Sequence, residues 1–131
     1  MIDMIDRSDE TILLVDDDDT VRRLMRRALE EQGYDILEAT NGADALDVAA
    51  VYAAPIHLIV TDVRMPQLGG FGLLTRFRNW YPSIRCLLVS GYPESMKPIE
   101  SLEGTPTSFL AKPFAVSELV GAVRELLDRA R

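Results

Sequence analysis

Cysteine, histidine and tryptophan each occur once in the 131 residues, as Cys86, His57 and Trp80. A lone thiol excludes an intramolecular disulfide, and Cys86, set in an apolar run, reads as a small core residue of a protein kept in a reducing compartment. No apolar stretch reaches the roughly 18 residues that a membrane span requires. The opening MIDMIDRSDE, broken by Asp3 and Asp6, lacks the basic and apolar regions of a signal peptide. A cytoplasmic location without membrane insertion is the expectation. Basic runs longer than two residues are also missing, and 14 Lys plus Arg against 21 Asp plus Glu leave a formal charge of -7. That balance repels phosphate backbones and disfavours direct nucleic-acid binding. There is no internal repeat and no low-complexity tract.

What is present is a chain that is 47% hydrophobic and of a size to bury roughly two thirds of its unfolded surface in one core. From Thr11 onward, short apolar runs alternate five times with stretches at helical spacing, a pattern that calls for a parallel sheet. Ile12 to Val15 has no polar alternation, as expected of a strand covered on both faces. Val21, Leu24, Met25, Ala28 and Leu29 then form a helical stripe that Gly33 closes. Ile36 to Ala39 reads as the second strand. Asn41 caps a helix with Leu46, Ala49, Ala50 and Ala53 on its apolar face, stopped by Pro55. His57 to Thr61 is the third strand, Leu74, Phe77 and Tyr81 mark a helix ending by Pro82, and Ile84 to Val89 is the fourth strand. Pro93 to Gly104 reads as a weak helix shortened by Pro98. Phe109 to Ala111 is a short fifth strand, and Leu119, Val120, Val123, Leu126 and Leu127 give the last helix. The expected architecture is a doubly wound, flavodoxin-like (βα)5 domain with strand order 2-1-3-4-5 over residues 11–131, preceded by a flexible segment over residues 1–10.

In such a sheet, ligands gather outside the carboxyl ends of the strands. The residues just past those ends are Asp16 and Asp17, Asp62, Ser90 and Lys112. Two carboxylates about 4 Å apart repel by roughly 4 kcal/mol at an effective dielectric near 20, so the cluster takes up protons or recruits a cation. Oxygen ligands with no His or Cys nearby select a hard ion, and Mg²⁺ fits best because it keeps several waters and completes its shell with phosphate oxygens. Lys112 supplies a point charge suited to phosphate, and the Ser90 hydroxyl adds a hydrogen bond. The cleft is one for phosphoryl transfer, and with no His or Cys in it the acceptor is a carboxylate.

ILLVDDDD, LIVTDVRMP, LLVSG and FLAKPF, in this order and spacing, resemble the receiver domain of two-component response regulators, from about Thr11 to Ala130. ETILLVDDD together with LLVSGYPES further resembles receivers fused to hybrid sensor histidine kinases. The resemblance implies that Asp62 accepts a phosphoryl group from a histidine kinase or a histidine phosphotransfer protein. It makes Asp16 and Asp17 the acidic pair that holds Mg²⁺, with Asp62 and the backbone carbonyl of Arg64 as further ligands. Ser90 and Lys112 become the hydroxyl and ammonium that contact the phosphoryl group, and the bond from Lys112 to Pro113 is cis. The partner set is then a kinase or phosphotransfer protein, with a weak homodimer admitted; the chain is a phosphoacceptor and not a turnover enzyme. Two departures stand out. Phe109 occupies a position where the family usually has Tyr, so a switch through Ser90 and Phe109 would work without that hydroxyl. Gly69 and Gly70 replace a common acidic residue and its glycine, and suggest a more mobile loop.

The remaining features have plainer readings. Asp18 and Asp19 read as a helix cap paired at i+4 with Arg22 and Arg23. Arg22, Arg23, Arg26 and Arg27 read as a solvated face balanced by Glu30 and Glu31, with a share in kinase docking as the sharper alternative. His57 reads as a packing residue and Trp80 as a half-buried cover. The rival activity is a haloacid dehalogenase-like phosphatase, because Asp16, Asp18 and Thr20 spell DxDxT with Asp16 as nucleophile. The acidic motif expected after Lys112 in that family is missing. A flavodoxin-like electron carrier is opposed by four aspartates where a flavin phosphate would sit.

Overall fold

A computed structural model of the protein describes residues 10–65, 68–91 and 106–128. The expected weak helix from Pro93 to Gly104, along with Pro66, Tyr92 and residues 1–9, lies outside the described residues. Five parallel strands, β1 (Thr11–Val15), β2 (Asp35–Ala39), β3 (Leu58–Asp62), β4 (Arg85–Ser90) and β5 (Thr107–Ala111), form one sheet in the order β2-β1-β3-β4-β5. The helices are α1 (Asp19–Glu30), α2 (Gly42–Val51), α3 (Gly70–Trp80) and α4 (Val116–Asp128). No helix among the described residues is long and apolar enough to cross a membrane.

The period-2 alternation of the strands divides the core in two. Ile12, Leu14, Leu58, Val60, Leu87 and Val89 face α1 and α4, whereas Leu13, Val15, Ile59, Cys86 and Leu88 face α2 and α3. This is why the strands read as unbroken apolar runs: each residue has a helix to face, on one side or the other.

Local chemistry sets the helix ends. Asp18 caps α1 through its side chain, which accepts from the amides of Thr20 and Val21. Asn41 caps α2 by accepting from the Asp44 amide at 2.8 Å, while the Asp44 carboxylate accepts from the Thr40 amide at 2.9 Å. Gly33 leaves α1 at φ 94°, a conformation that disfavours any side chain.

Several sequence expectations need correction. Leu24 is 47% exposed and does not belong to the buried stripe, while Arg22 on that helix is only 8% exposed. The apolar face of α2 is Gly42, Ala45 and Ala49, with Leu46 packed partly buried beside them as expected; Ala50 points outward, and α2 ends at Val51, before Ala53 and Pro55. His57 precedes β3 and continues its pairing by side chain: its Nδ1 accepts from the Thr11 amide at 3.0 Å, and its own amide donates to the Thr11 carbonyl at 2.9 Å. β4 runs from Arg85, opposite Leu58, to Ser90, one residue later than its apolar run, and β5 begins at Thr107, where pairing with Cys86 extends the ladder ahead of the apolar residues. Trp80 is 53% exposed, with one ring contact to Phe77.

At the amino edge of the sheet, Arg124 of α4 donates to Glu10 at 3.3 Å and to the Tyr34 hydroxyl at 3.0 Å, and pairs with Asp128 at 2.9 Å. Glu10 is thus tied to the last helix.

Near the carboxyl edge, Glu38 of β2 receives both Arg22 and Arg26. Its partial burial would raise its pKa, but the hydrogen bonds from Arg26 and Arg22 outweigh this and hold it below the usual glutamate range. A carboxylate held low in the folded state stabilises above its unfolded pKa, and that contribution is lost as pH falls through the folded value. Glu38→Gln is therefore expected to lower the urea midpoint at pH 7, with the wild-type and variant curves converging once acid has protonated Glu38. A pH-independent gap between the curves would contradict this.

Candidate functional site

Four strand ends meet at the carboxyl edge. β1 runs out into Asp16 and Asp17, β3 ends at Asp62, β4 at Ser90, and β5 delivers Lys112. The register sets Asp62 opposite Val89 and Ser90 opposite Ala111, so the Asp62 carboxylate, the Ser90 hydroxyl and the Lys112 ammonium come from consecutive levels of one ladder. The Lys112 Nζ donates to Asp16 Oδ2 at 3.2 Å and to Asp62 Oδ2 at 3.1 Å. The peptide bond from Lys112 to Pro113 is cis, as the resemblance implied. The Lys112 amide donates to the Ser90 carbonyl at 2.9 Å and extends the ladder by one step past the end of β5.

Asp16 is fully buried. Its Oδ1 accepts from the Asp18 amide at 2.9 Å, its own amide donates to the Ala39 carbonyl at 3.2 Å, and its carbonyl accepts from Arg22 Nη1 at 2.8 Å. Burial raises the Asp16 pKa, and this exceeds the lowering from the Asp18 amide and the Lys112 charge. For Lys112 the balance runs the other way: desolvation of the ammonium is outweighed by Asp16 and Asp62, which hold it above its ordinary value. Asp62 reaches the surface only in part, and its Oδ1 accepts from the Arg64 amide at 3.2 Å. Asp17 is exposed, and among the described residues no side-chain hydrogen bond or ion pair holds its carboxylate.

Carboxylate oxygens of Asp16, Asp17 and Asp62 lie within 4.8 Å of one another. This all-oxygen set fits a hard divalent cation such as Mg²⁺, and among the described residues no His or Cys joins the cluster.

The glycines at the site work by close approach. A Cβ on Gly70 would stand 2.6 Å from the Asp62 carbonyl, and one on Gly69 would stand 2.9 Å from the Val63 carbonyl. The Gly70 amide donates to Val63 at 3.0 Å. The two glycines, read from sequence as a source of mobility, bring the start of α3 against the end of β3. Leu68 fits against Gly42 and Gly72, where added Cβ atoms would come within 2.9 and 2.7 Å of its side chain.

Asp18 and Thr20, the rest of the DxDxT reading, are absorbed into the first turn of α1, and Asp16 is buried under Lys112. The phosphatase arrangement, with an accessible Asp16 nucleophile, is not what these residues form. Phe109 lies on β5 opposite Leu88 and packs, partly buried, against the α2 and α3 side of the core. Arg22, assigned by sequence to a solvated face, is buried against this site.

The model of the response regulator receiver domain matches residues 12–124. The chain belongs to this family. It is 36% identical over 119 residues to the sensor kinase CckA of Brucella abortus, covering 91% of this chain and 13% of the kinase. To the response regulator MprA of Mycobacterium avium it is 33% identical over 120 residues, covering 92% of this chain and 52% of the regulator. The chain thus spans about half, or much less, of these relatives. Among solved structures, the receiver domain of the hybrid histidine kinase CckA superposes with a TM-score of 0.75 at 33% identity, covering 89% of this chain and 98% of that one. TrrA of Thermotoga maritima, solved with Mg²⁺ and beryllofluoride, gives 0.77 at 27% identity over 89% and 98%.

Because burial raises the Asp16 pKa, its ionised form costs stability at neutral pH when no cation is bound. Asp16→Asn should therefore raise the melting temperature in EDTA and shrink the further rise that Mg²⁺ produces in the wild type. A lower melting temperature in EDTA would contradict this account.

Proposed function

We propose that this receiver is a phosphoacceptor whose nucleophile is Asp62 and whose phosphoryl group carries a signal. The observation that supports this most is the bridge from Lys112 Nζ to both Asp16 and Asp62 at the open edge of the sheet. Asp16, Asp17, Asp62 and the Arg64 carbonyl would hold Mg²⁺. When bound, the cation supplies positive charge that offsets the negative charge on the phosphoryl oxygens.

The chain's own residues do the rest. The Arg64 amide and Lys112 each bind one oxygen of Asp62 and fix the rotation of its carboxylate toward the cleft. An Asp62 oxygen attacks phosphorus in line, the P–O bond forms as the P–N bond to the donor imidazole breaks, and the imidazole leaves carrying the bonding pair. Lys112 then faces a phosphoryl oxygen and the Ser90 hydroxyl donates to another. Receiver domains of hybrid kinases and response regulators receive phosphate from histidine kinases, and a kinase or phosphotransfer protein is the donor assigned here. A cytoplasmic site of action fits such a donor, and residues 11–131 are taken as the working unit. With Mg²⁺ and a small-molecule phosphodonor, wild-type protein should take up acid-labile phosphate and Asp62→Asn should not. Uptake by Asp62→Asn at the wild-type rate, with Asp16→Asn inactive and a phosphomonoester turned over steadily, would favour the phosphatase instead.

Val21, Leu24, Lys112, Pro113 and Phe114 line an open groove of about 330 Å³ beside the site. The exposed Leu24 gains a role there: an apolar face for the helix that carries the donor histidine. Leu24→Glu and Val21→Glu should slow transfer from the cognate kinase while leaving uptake from a small donor unchanged. Leu68 is a poorer probe because it packs against two glycines. Equal slowing with both donors would contradict a docking role.

Signal output is assigned to Ser90 and Phe109. The new group adds about 1.5 to 2 negative charges beside Lys112, drawing Ser90 toward it. Phe109 follows without the cost of desolvating a hydroxyl. Beryllofluoride titration should shift the Phe109 ring and Ser90 resonances together; saturation with both unmoved would leave the domain as a phosphate relay without this switch.

A further inference from the structure

We infer that Arg22 is a positioning residue of the acidic pocket, fixing the peptide unit between Asp16 and Asp17 through its hydrogen bond to the Asp16 carbonyl. The inference rests on the reading of that pocket as a Mg²⁺ site.

Arg22 lies on the first turns of α1, yet only 8% of it is exposed. Its three guanidinium nitrogens go to three separate partners, one backbone carbonyl and two carboxylates. Nη1 donates to the Asp16 carbonyl at the end of β1 at 2.8 Å, Nε donates to Glu38 of β2 at 2.8 Å, and Nη2 pairs with Asp19 at the start of α1 at 2.6 Å. Glu38 is itself held by Arg26. A planar guanidinium engaged on three sides has no freedom to follow the carbonyl, so the carbonyl is set by the guanidinium.

That carbonyl belongs to the planar peptide joining Asp16 to Asp17. The Asp16 side chain has other anchors, in the Asp18 amide and Lys112. Asp17 has none among the described residues, although its carboxylate lies within 4.8 Å of the other two. Its aim is therefore a matter of backbone, and Arg22 holds the backbone on the side from which the Asp17 side chain departs.

Electrostatics alone makes the opposite forecast. A cation next to a cation site repels Mg²⁺, so deleting the Arg22 charge would tighten binding if charge were its only role. A positioning role makes deletion weaken binding, and Lys, with one ammonium for three acceptors, should fail to rescue it.

The experiment measures the dissociation constant for Mg²⁺ alone by titration calorimetry on wild type, Arg22→Met, Arg22→Lys and Glu38→Gln. Arg124→Met, which breaks the distant clasp at the amino edge, serves as a control for general loss of stability. Arg22→Met and Arg22→Lys should each weaken Mg²⁺ binding about tenfold or more, as lost support for a ligand commonly does. Glu38→Gln should weaken it less, and Arg124→Met should leave it unchanged. If Arg22→Met does not fold, Arg22→Lys and Glu38→Gln carry the comparison. Wild-type or tighter affinity in the Arg22 variants, rescue by Lys, or equal weakening in Arg124→Met overturns the positioning role. A wild-type protein that binds no Mg²⁺ overturns the reading of the pocket, and the inference with it.

Discussion

A single ammonium group joins three strands of this sheet. Lys112 leaves the end of β5, an edge strand, and its Nζ reaches Asp62 on β3 and Asp16 past β1. With strands about 4.8 Å apart, the backbones of β5 and β3 are separated by roughly 10 Å over the end of β4, so only a long, extended side chain closes the gap. Without it, the fully buried Asp16 carboxylate and its neighbour Asp62 would face each other with no cation hydrogen-bonded to either carboxylate among the described residues. Burying two like charges is tolerated in a fold only when a partner of opposite sign is fixed nearby, and the ladder from Ser90 to Lys112 fixes it.

The rest of the architecture follows from delivering five polar groups to one edge. Parallel strands all end on the same side, and α1, α2 and α3 each return the chain to begin the next strand. The alternating apolar side chains that fill the two cores also fix register. A slip of one residue in β3 would send Asp62 into a core and bring Thr61 to the edge. Packing therefore sets the chemistry at the strand ends, and the glycines after β3 let α3 start close against the Asp62 and Val63 carbonyls.

Much of this was legible in the sequence because the signals are local. Unbroken apolar runs marked the strands, Asn41 and Asp18 marked helix starts, and the polar residues after each run marked the edge. Arg22 was not legible as a buried group. Four arginines on one helix suggest a solvated face, although Arg22 lines up with Met25 and Leu29 at i+3 and i+7, the spacing of the buried stripe. Its partner Glu38 is set by the pairing of β1 with β2, which no local pattern reveals. His57 was misplaced into β3 for a similar reason: an imidazole that accepts from a strand amide resembles strand residues in sequence. The glycines at 69 and 70 read as a source of mobility, because nothing local shows that two carbonyls leave no room for a side chain there. Leu24 looked like core because a helical stripe has no way to distinguish a buried edge from one left open beside Pro113 and Phe114.

The central claim is that one carboxylate among three clustered ones takes the phosphoryl group, and chemical trapping tests this directly. Borohydride reduces an acyl phosphate side chain to the corresponding alcohol, so a phosphorylated aspartate becomes homoserine and is located by peptide mass. After incubation with Mg²⁺ and a phosphodonor, the account predicts homoserine at position 62 alone. Homoserine at 16 or 17, or none in protein that has taken up acid-labile phosphate, would contradict it.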